Sequence, residues 1–151
     1  MDQKNPEKMT TLPATFARRL GALFYDTLLM IAVVLCAAVP FVLIAGDTSR
    51  NFLLRLLFQF YLLAAMFFYY AGFWTRGGQT LGLRTWKLKL IVDNGKSLTW
   101  RIALKRFAAA GLSLFCLGVG FLWSLIDKEK LTWHDRLSGT RLIRIEQTNN
   151  P

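Results

Sequence analysis

The sequence predicts a mostly α-helical, polytopic membrane protein with a small cytoplasmic β-hairpin or sheet. Three observations lead to this fold class. The 151-residue chain is 54% hydrophobic, above the roughly 45–50% apolar content of soluble domains. Two apolar runs, at 20–45 and 52–74, are each long enough to cross about 30 Å of hydrocarbon as a helix. A segment dense in Lys and Arg follows them, as is typical of loops retained in the cytoplasm.

The polar ends of the chain contrast with these apolar runs. Residues 1–13 are polar with two prolines and predict a flexible tail, and 147–151 form a second tail. Between them, 14–146 are expected to form a single membrane domain. The first apolar run exceeds the core of a signal peptide, roughly 7–15 residues, so we expect it to be a retained helix. The second run ends in Phe, Tyr and Trp residues that suit a membrane interface.

The basic segment 75–106 carries eight Lys or Arg residues against one acid, Asp93. Within it, 85–92 alternates in part between apolar and polar residues and predicts a strand. The following Asp93-Asn-Gly95 is a strong hairpin signal. Near the other end of the chain, 140–145 is short and β-prone and predicts a second strand.

The third apolar run leaves two arrangements open. It spans 107–126 and is interrupted at Gly111, Gly118 and Gly120, and the capability to form a helix begins earlier, near 98. A plain third crossing would place the C-terminus outside. Alternatively, a helix at 98–117 is followed by a short re-entrant helix at 121–126, which returns the chain to the cytoplasm. Five Lys and Arg residues after 126 favour the return, which would bring strand 140–145 beside strand 85–92.

A carboxylate inside the first apolar run points to a polar site. Asp26 costs about 2.5–3.5 kcal/mol at the centre of a membrane helix, and less near its ends. Arg19 lies two turns earlier on roughly the same helical face. We expect Arg19, Asp26 and Asp135 to form one cluster near the cytoplasmic surface, with four possible partners: Arg76, Arg106, His134 and Arg136. Such a cluster is a structural ion-pair network, an ion or proton pathway, or a recognition site for lipid or protein.

Several other functions find no support in the residues. The formal charge is +10, but the basic residues lie between apolar spans and no nucleic-acid motif accompanies them, so we expect no nucleic-acid binding. Cys36 and Cys116 lie in apolar runs and predict neither a disulfide nor a metal site. With His134 as the single histidine, no nucleophile–base set is visible. We therefore expect a protein that is not an enzyme, without cofactor or metal.

Four motifs occur in a characteristic order: Arg19-Leu-Gly-Ala-Leu-Phe-Tyr-Asp26, Gly78-Gln-Thr-Leu-Gly82, Asp93-Asn-Gly95 and Trp133-His-Asp-Arg-Leu-Ser-Gly-Thr140. Together they resemble the RDD family of small membrane proteins, named for one arginine and two aspartates, over about 12–146. Arg19 and Asp26 correspond to the arginine and the first aspartate, and Asp135 resembles the second. Leu83 departs from the family pattern, in which a basic residue often follows Gly-Gln-Thr-Leu-Gly, and Arg84 is a candidate substitute.

The resemblance implies an integral membrane protein, which we place in the bacterial inner (plasma) membrane with its N-terminus in the cytoplasm. It suggests a role in cation or proton transport. Because three short helices enclose little aqueous space, such a transporter would be a homo-oligomer or would have a membrane partner protein. The alternative is an assembly or regulatory partner whose basic cytoplasmic segment binds anionic lipid head groups or another protein.

Overall fold

A computed structural model of the chain describes residues 12–46, 51–93 and 95–145. The fold is mostly helical (71%). Along the chain, the structure contains β1 (Leu12–Pro13), α1 (Phe16–Ala45), α2 (Phe52–Gly77), α3 (Leu81–Thr85), β2 (Leu88–Val92), α4 (Trp100–Phe115), α5 (Val119–Leu122), a 3-10 turn (Trp123–Leu125), α6 (Trp133–Ser138) and β3 (Thr140–Arg144).

The two longest helices, α1 and α2, are each long and apolar enough to cross a membrane. Asn51 caps the start of α2 by accepting hydrogen bonds from the N–H groups of Leu53 and Leu54. At its other end, Gly78 adopts a left-handed φ of 68° and closes the helix. Compared with the sequence prediction, α1 begins four residues earlier and α2 ends three residues later, because the polar first turns of α1 and last turn of α2 pack against the rest of the fold.

The three strands form one antiparallel sheet in the order β1-β3-β2. Leu88 pairs with Arg144 and Val92 with Thr140, so the prediction that the two strands lie side by side is confirmed. The prediction of a local hairpin at 93–95 is wrong. Val92 accepts a hydrogen bond from the N–H of Gly95 at 3.0 Å, but the chain then enters α4 instead of a strand. Asn94 lies outside the described residues.

The expected tails are only partly described. Leu12 and Pro13, assigned to the first tail, pair with β3 as strand β1, while residues 1–11 and the second tail at 147–151 lie outside the described residues. The single domain predicted at 14–146 therefore begins with β1.

The third apolar run is broken where the glycines predicted. Leu117 and Gly118 have φ values of 57° and 76°, and the helical segments on either side are bent by 108°. The first segment begins at Trp100 rather than near 98, because Thr99 caps it. The second returns toward the sheet, and the rings of Phe121 and Phe16 lie 5.6 Å apart at the first residue of α1. The two segments thus leave and rejoin the same end of the α1–α2 pair.

Two short helices, α3 and α6, were missed from the sequence. Each begins at a threonine whose hydroxyl accepts a backbone N–H of the first turn: Thr80 from Leu83, and Thr132 from Asp135. The Thr132–Asp135 pair forms a capping box, a pattern that is visible in the sequence. These helices pack around a core that includes Ala71, Leu88 and Ala103.

Candidate functional site

The Asp135 carboxylate lies fully buried at the start of α6, with 0% of its surface exposed. The capping box orients it: the N–H of Thr132 donates to Asp135 Oδ2 at 3.2 Å, and the N–H of Asp135 donates to the Thr132 hydroxyl at 3.3 Å. The short helix therefore orients both the backbone and the side chain of this acid.

Two arginines bind this carboxylate, one at each oxygen. Arg19 Nη1 of α1 lies 2.7 Å from Asp135 Oδ2, and Arg106 Nη1 of α4 lies 2.7 Å from Asp135 Oδ1. Arg106 Nη1 also donates to the Thr140 hydroxyl of β3 at 2.5 Å, and its guanidinium lies 5.5 Å from the ring centre of Trp74. One carboxylate thus joins α1, α4, α6 and β3. We call Arg19, Arg106 and Asp135 the ion-pair cluster.

Burial and the charges of the cluster together set the pKa values of Asp135 and His134. Burial alone would raise the pKa of the Asp135 carboxyl, but the positive charges of Arg106 and Arg19 outweigh it and hold that pKa well below its usual range. The adjacent His134 has a pKa lowered to about 3, first by burial and then by the positive charge of Arg106. At neutral pH, Asp135 is therefore charged and His134 is neutral.

Asp26 has a different environment. It is buried on α1, its Oδ2 accepts a hydrogen bond from the Thr80 hydroxyl at 2.5 Å, and its Oδ1 accepts the N–H of Gly82 at 2.9 Å. Thr80 in turn accepts the N–H of Leu83 at 3.2 Å. In the part of the chain that the structure describes, no ion pair reaches Asp26. We call Asp26, Thr80 and Gly82 the aspartate–α3 site.

The Gly-Gln-Thr-Leu-Gly motif builds this second site. Gly82 has no side chain, and a Cβ there would meet the backbone oxygen of Ala22 and the Asp26 carboxylate. The Gln79 side chain donates to the Leu88 carbonyl at 2.6 Å. At Gly78, a Cβ would lie 2.5 Å from the Leu90 carbonyl oxygen. The motif therefore ends α2, binds β2 and presses α3 against α1.

The single cluster expected from the sequence is divided into two. Arg19 and Asp135 come together and Arg106 joins them, but Asp26 binds α3 instead. The physical reason is the two-turn separation on α1, about 10 Å along the helix axis, which Arg19 does not bridge because its side chain points to Asp135 and Ala14.

The other suggested partners lie outside both sites or make no bond to them. Arg76 is exposed in the last turn of α2, and Arg136 pairs with Asp127 at 2.6 Å. His134 is partly buried beside the cluster, and its Nδ1 has no hydrogen-bond partner among the described residues. Sequence reasoning missed Thr80, Gly82, Thr132 and Thr140, although all of these except Thr132 lie in motifs that it had singled out. Residues 12–46, 51–93 and 95–145 contain no group of three His, Cys, Asp or Glu residues that could hold a metal ion.

Comparison with known proteins gives a family and no individual relative. No curated protein matches the chain, and no solved structure matches it. The model of the RDD family matches residues 13–139. That range contains α1 and α2, both sites, and the arginine and two aspartates that the sequence pattern pointed to. The chain therefore belongs to the RDD family.

Proposed function

We propose that this protein is an integral membrane protein that exchanges a proton or a small cation at Asp26, as one subunit of an oligomeric transporter. One observation carries the proposal: of the two buried aspartates, one is held between two arginines and the other has only neutral partners. The proposed activity moves an ion and converts no substrate into a product.

The neutral partners of Asp26 leave its charge without a counter-ion in contact. A carboxylate removed from water is costly unless it is paired, protonated or bound to a cation. Thr80 and Gly82 contribute two hydrogen bonds but no positive charge. A proton or a cation at Asp26 would supply that charge, whereas Asp135 already has two.

The ion-pair cluster supports exchange at Asp26 without blocking it. Two arginines and one carboxylate leave the cluster with a net charge of +1. At about 10 Å and an effective dielectric constant near 20, this charge attracts the Asp26 carboxylate by about 1.7 kcal/mol, against about 4 kcal/mol for a pair in contact. The attraction helps an ionised Asp26 to exist between binding events and is too weak to replace the bound ion.

The length of α1 supports a position for Asp26 near the membrane boundary. The helix has 30 residues, about 45 Å at 1.5 Å per residue, whereas the hydrocarbon core is about 30 Å thick. The first turns of α1 contact α3 and Trp86, which supports a crossing between Thr27 and Ala45. An ion at Asp26 would then be reached from the sheet side.

The distribution of Lys and Arg supports a cytoplasmic sheet side in a bacterial inner membrane. Because β1 and β2 both pair with β3, both ends of the described residues would lie on that same side. Two long helices cannot enclose an aqueous path, so the other walls would come from further copies or from a membrane partner protein.

The test is flux through the purified protein in liposomes, measured with sodium, potassium and lithium gradients and with pH gradients. We expect the Asp26→Asn variant to lose at least about tenfold of the flux, since an isosteric amide keeps the size of the side chain and one accepting oxygen but removes the charge. Asp93→Asn is the matched control, because Asp93 is an exposed acid outside both sites and its variant should retain wild-type flux. Wild-type flux through correctly folded Asp26→Asn protein, or no flux with any gradient, would contradict the proposal.

A second function is favoured by the exposed basic residues of the sheet side: Arg84, Lys87, Arg101 and Lys105. In this alternative the protein is an assembly or regulatory partner that recognises anionic head groups or an acidic protein surface. Glutamine replacements at these four positions should then impair the cation-dependent growth of cells that rely on the protein, while Asp26→Asn should leave that growth unchanged. Under the transport proposal the two results are reversed.

A further inference from the structure

The bend between α4 and α5 carries large apolar side chains that nothing in the fold covers. Leu114, Phe115 and Leu117 are 78%, 87% and 92% exposed, and Ile126 beyond the 3-10 turn is 81% exposed. Comparable exposure of large apolar residues in the described chain occurs at the opposite end of α1 and α2, at Leu43, Ile44 and Phe52. A contiguous surface of this kind marks a contact with an apolar partner.

Three backbone N–H groups of the bend donate to acceptors within it. The N–H of Gly118 donates to Ser113 at 2.8 Å, that of Val119 to Cys116 at 3.1 Å, and that of Phe121 to Gly118 at 2.9 Å. Bonds of this kind also close helices in water, where water binds the polar groups that remain. A bend in hydrocarbon requires them, since each unsatisfied group there costs several kcal/mol.

The exposed side chains surround the bend and do not form one flat face. On α4, Leu112, Leu114 and Phe115 are all exposed, and at 100° per residue they spread over about 160° of the helix surface. The returning segment adds Val119, Leu122 and Leu125 on its own side. A second copy of the chain would cover one side of such a projection, whereas acyl chains surround it.

The base of the bend has the residues of a membrane interface. Trp100 and Trp123 are each partly exposed, at 46% and 41%, and Trp is enriched at the level of the head groups. Arg101 and Lys105 lie one turn apart on the exposed surface of α4, where long basic side chains can reach phosphate groups. The inner surface is closed by contact of Gly120 with Ser113 and Trp133.

We infer that the α4–α5 bend is a re-entrant wedge, which enters the acyl-chain layer of the leaflet on the sheet side and whose base binds phospholipid phosphates through Arg101 and Lys105. It does not cross the bilayer, because Arg106 near its start binds Asp135, and Phe121 after the bend packs on the first residue of α1. This inference rests on the membrane location in the proposed function and is independent of transport at Asp26.

The experiment places a fluorescent probe at the tip. In a Cys36→Ser, Cys116→Ser background, Leu117→Cys is labelled with an environment-sensitive dye and the protein is reconstituted in phosphatidylcholine bilayers with or without phosphatidylglycerol. Lys128→Cys, in the exposed loop after the wedge, is the matched control. Leu117 is almost fully exposed, so its replacement should preserve the fold, which circular dichroism checks.

We expect nitroxide-labelled acyl chains to quench the probe at 117 at least about threefold more than the probe at 128, as for a group in hydrocarbon, and iodide in water to quench only the latter. Arg101→Gln with Lys105→Gln should remove any gain in quenching that phosphatidylglycerol produces. Iodide quenching at 117 would mean a water-exposed bend, and protection from both quenchers would mean a contact with a second copy; either result overturns the inference. The Asp26→Asn variant should give the wild-type pattern, so failure of transport and failure of the wedge are distinguishable.

Discussion

Replacing Asp135 with Asn tests whether the ion-pair cluster holds the fold together. The amide keeps the size of the side chain and can still accept one hydrogen bond, but it removes the only negative charge between Arg19 and Arg106. The buried net charge at this point rises from +1 to +2. The Thr132 cap contributes little to the difference, because its hydroxyl still accepts the N–H of residue 135.

The expected magnitude follows from burial. Removing one partner of a buried ion pair costs about 3–5 kcal/mol, because the remaining charge is left uncompensated. Asp135 is fully buried and its two arginines are 2% and 5% exposed at their side chains, so we expect a loss of about 4 kcal/mol in the free energy of unfolding. For a domain of this size that corresponds to about 10 °C in melting temperature.

The matched control is Asp93→Asn. Asp93 also pairs with an arginine, Arg141, but the two side chains are 33% and 48% exposed, and an exposed ion pair is worth about 0–1 kcal/mol. Thermal unfolding of both variants in the same detergent measures the difference. Adding Arg106→Met to Asp135→Asn should restore part of the loss, because it removes one of the two unpaired charges.

Free energies of unfolding that differ by less than about 1 kcal/mol between Asp135→Asn and Asp93→Asn, the range of an exposed pair, would contradict this expectation. A further loss of stability on adding Arg106→Met would equally contradict it, because packing rather than charge would then be the dominant contribution of Arg106.

Three further results are expected. Gly82→Ala should cost about 1–3 kcal/mol by forcing α3 away from α1, whereas Gly111→Ala, where no atom lies within 4 Å of the new Cβ, should be neutral or stabilising; equal melting temperatures would contradict this. The pKa of His134 falls from 6.5 to about 3 on folding, so the unfolded state binds more protons than the folded state below pH 6.5. The free energy of unfolding should therefore decrease by about 2 kcal/mol from pH 7 to pH 5. The His134→Gln variant should not show that decrease. Arg19→Asp should destabilise the protein without rescue by Asp26→Arg, because Arg19 pairs with Asp135; recovery of the wild-type melting temperature in the double variant would show that the two positions are in contact.

The local features of the fold follow from the sequence alone. Runs of apolar residues set the two long helices, since burial in lipid or protein requires an uninterrupted apolar segment. The glycines near 118 set the break in the third run, because a left-handed backbone there favours glycine. Capping residues set the ends of α2 and α6. The family motifs likewise identified Arg19, Asp26 and Asp135 as the residues of interest.

The contacts between those residues depend on the tertiary structure. Arg19 and Asp135 lie 116 positions apart in the chain, and nothing local distinguishes Arg106 from the other basic residues of its segment. The hairpin signal at Asp93 gave way to a strand from the far end of the chain, because β3 pairs with every residue of β2. Asp26 is separated from the arginine nearest in sequence, because Arg19 binds Asp135 and the absence of a side chain at Gly82 lets a backbone N–H bind the Asp26 carboxylate. Such pairings depend on which surfaces meet when the helices pack, and spacing along one helix does not contain that information.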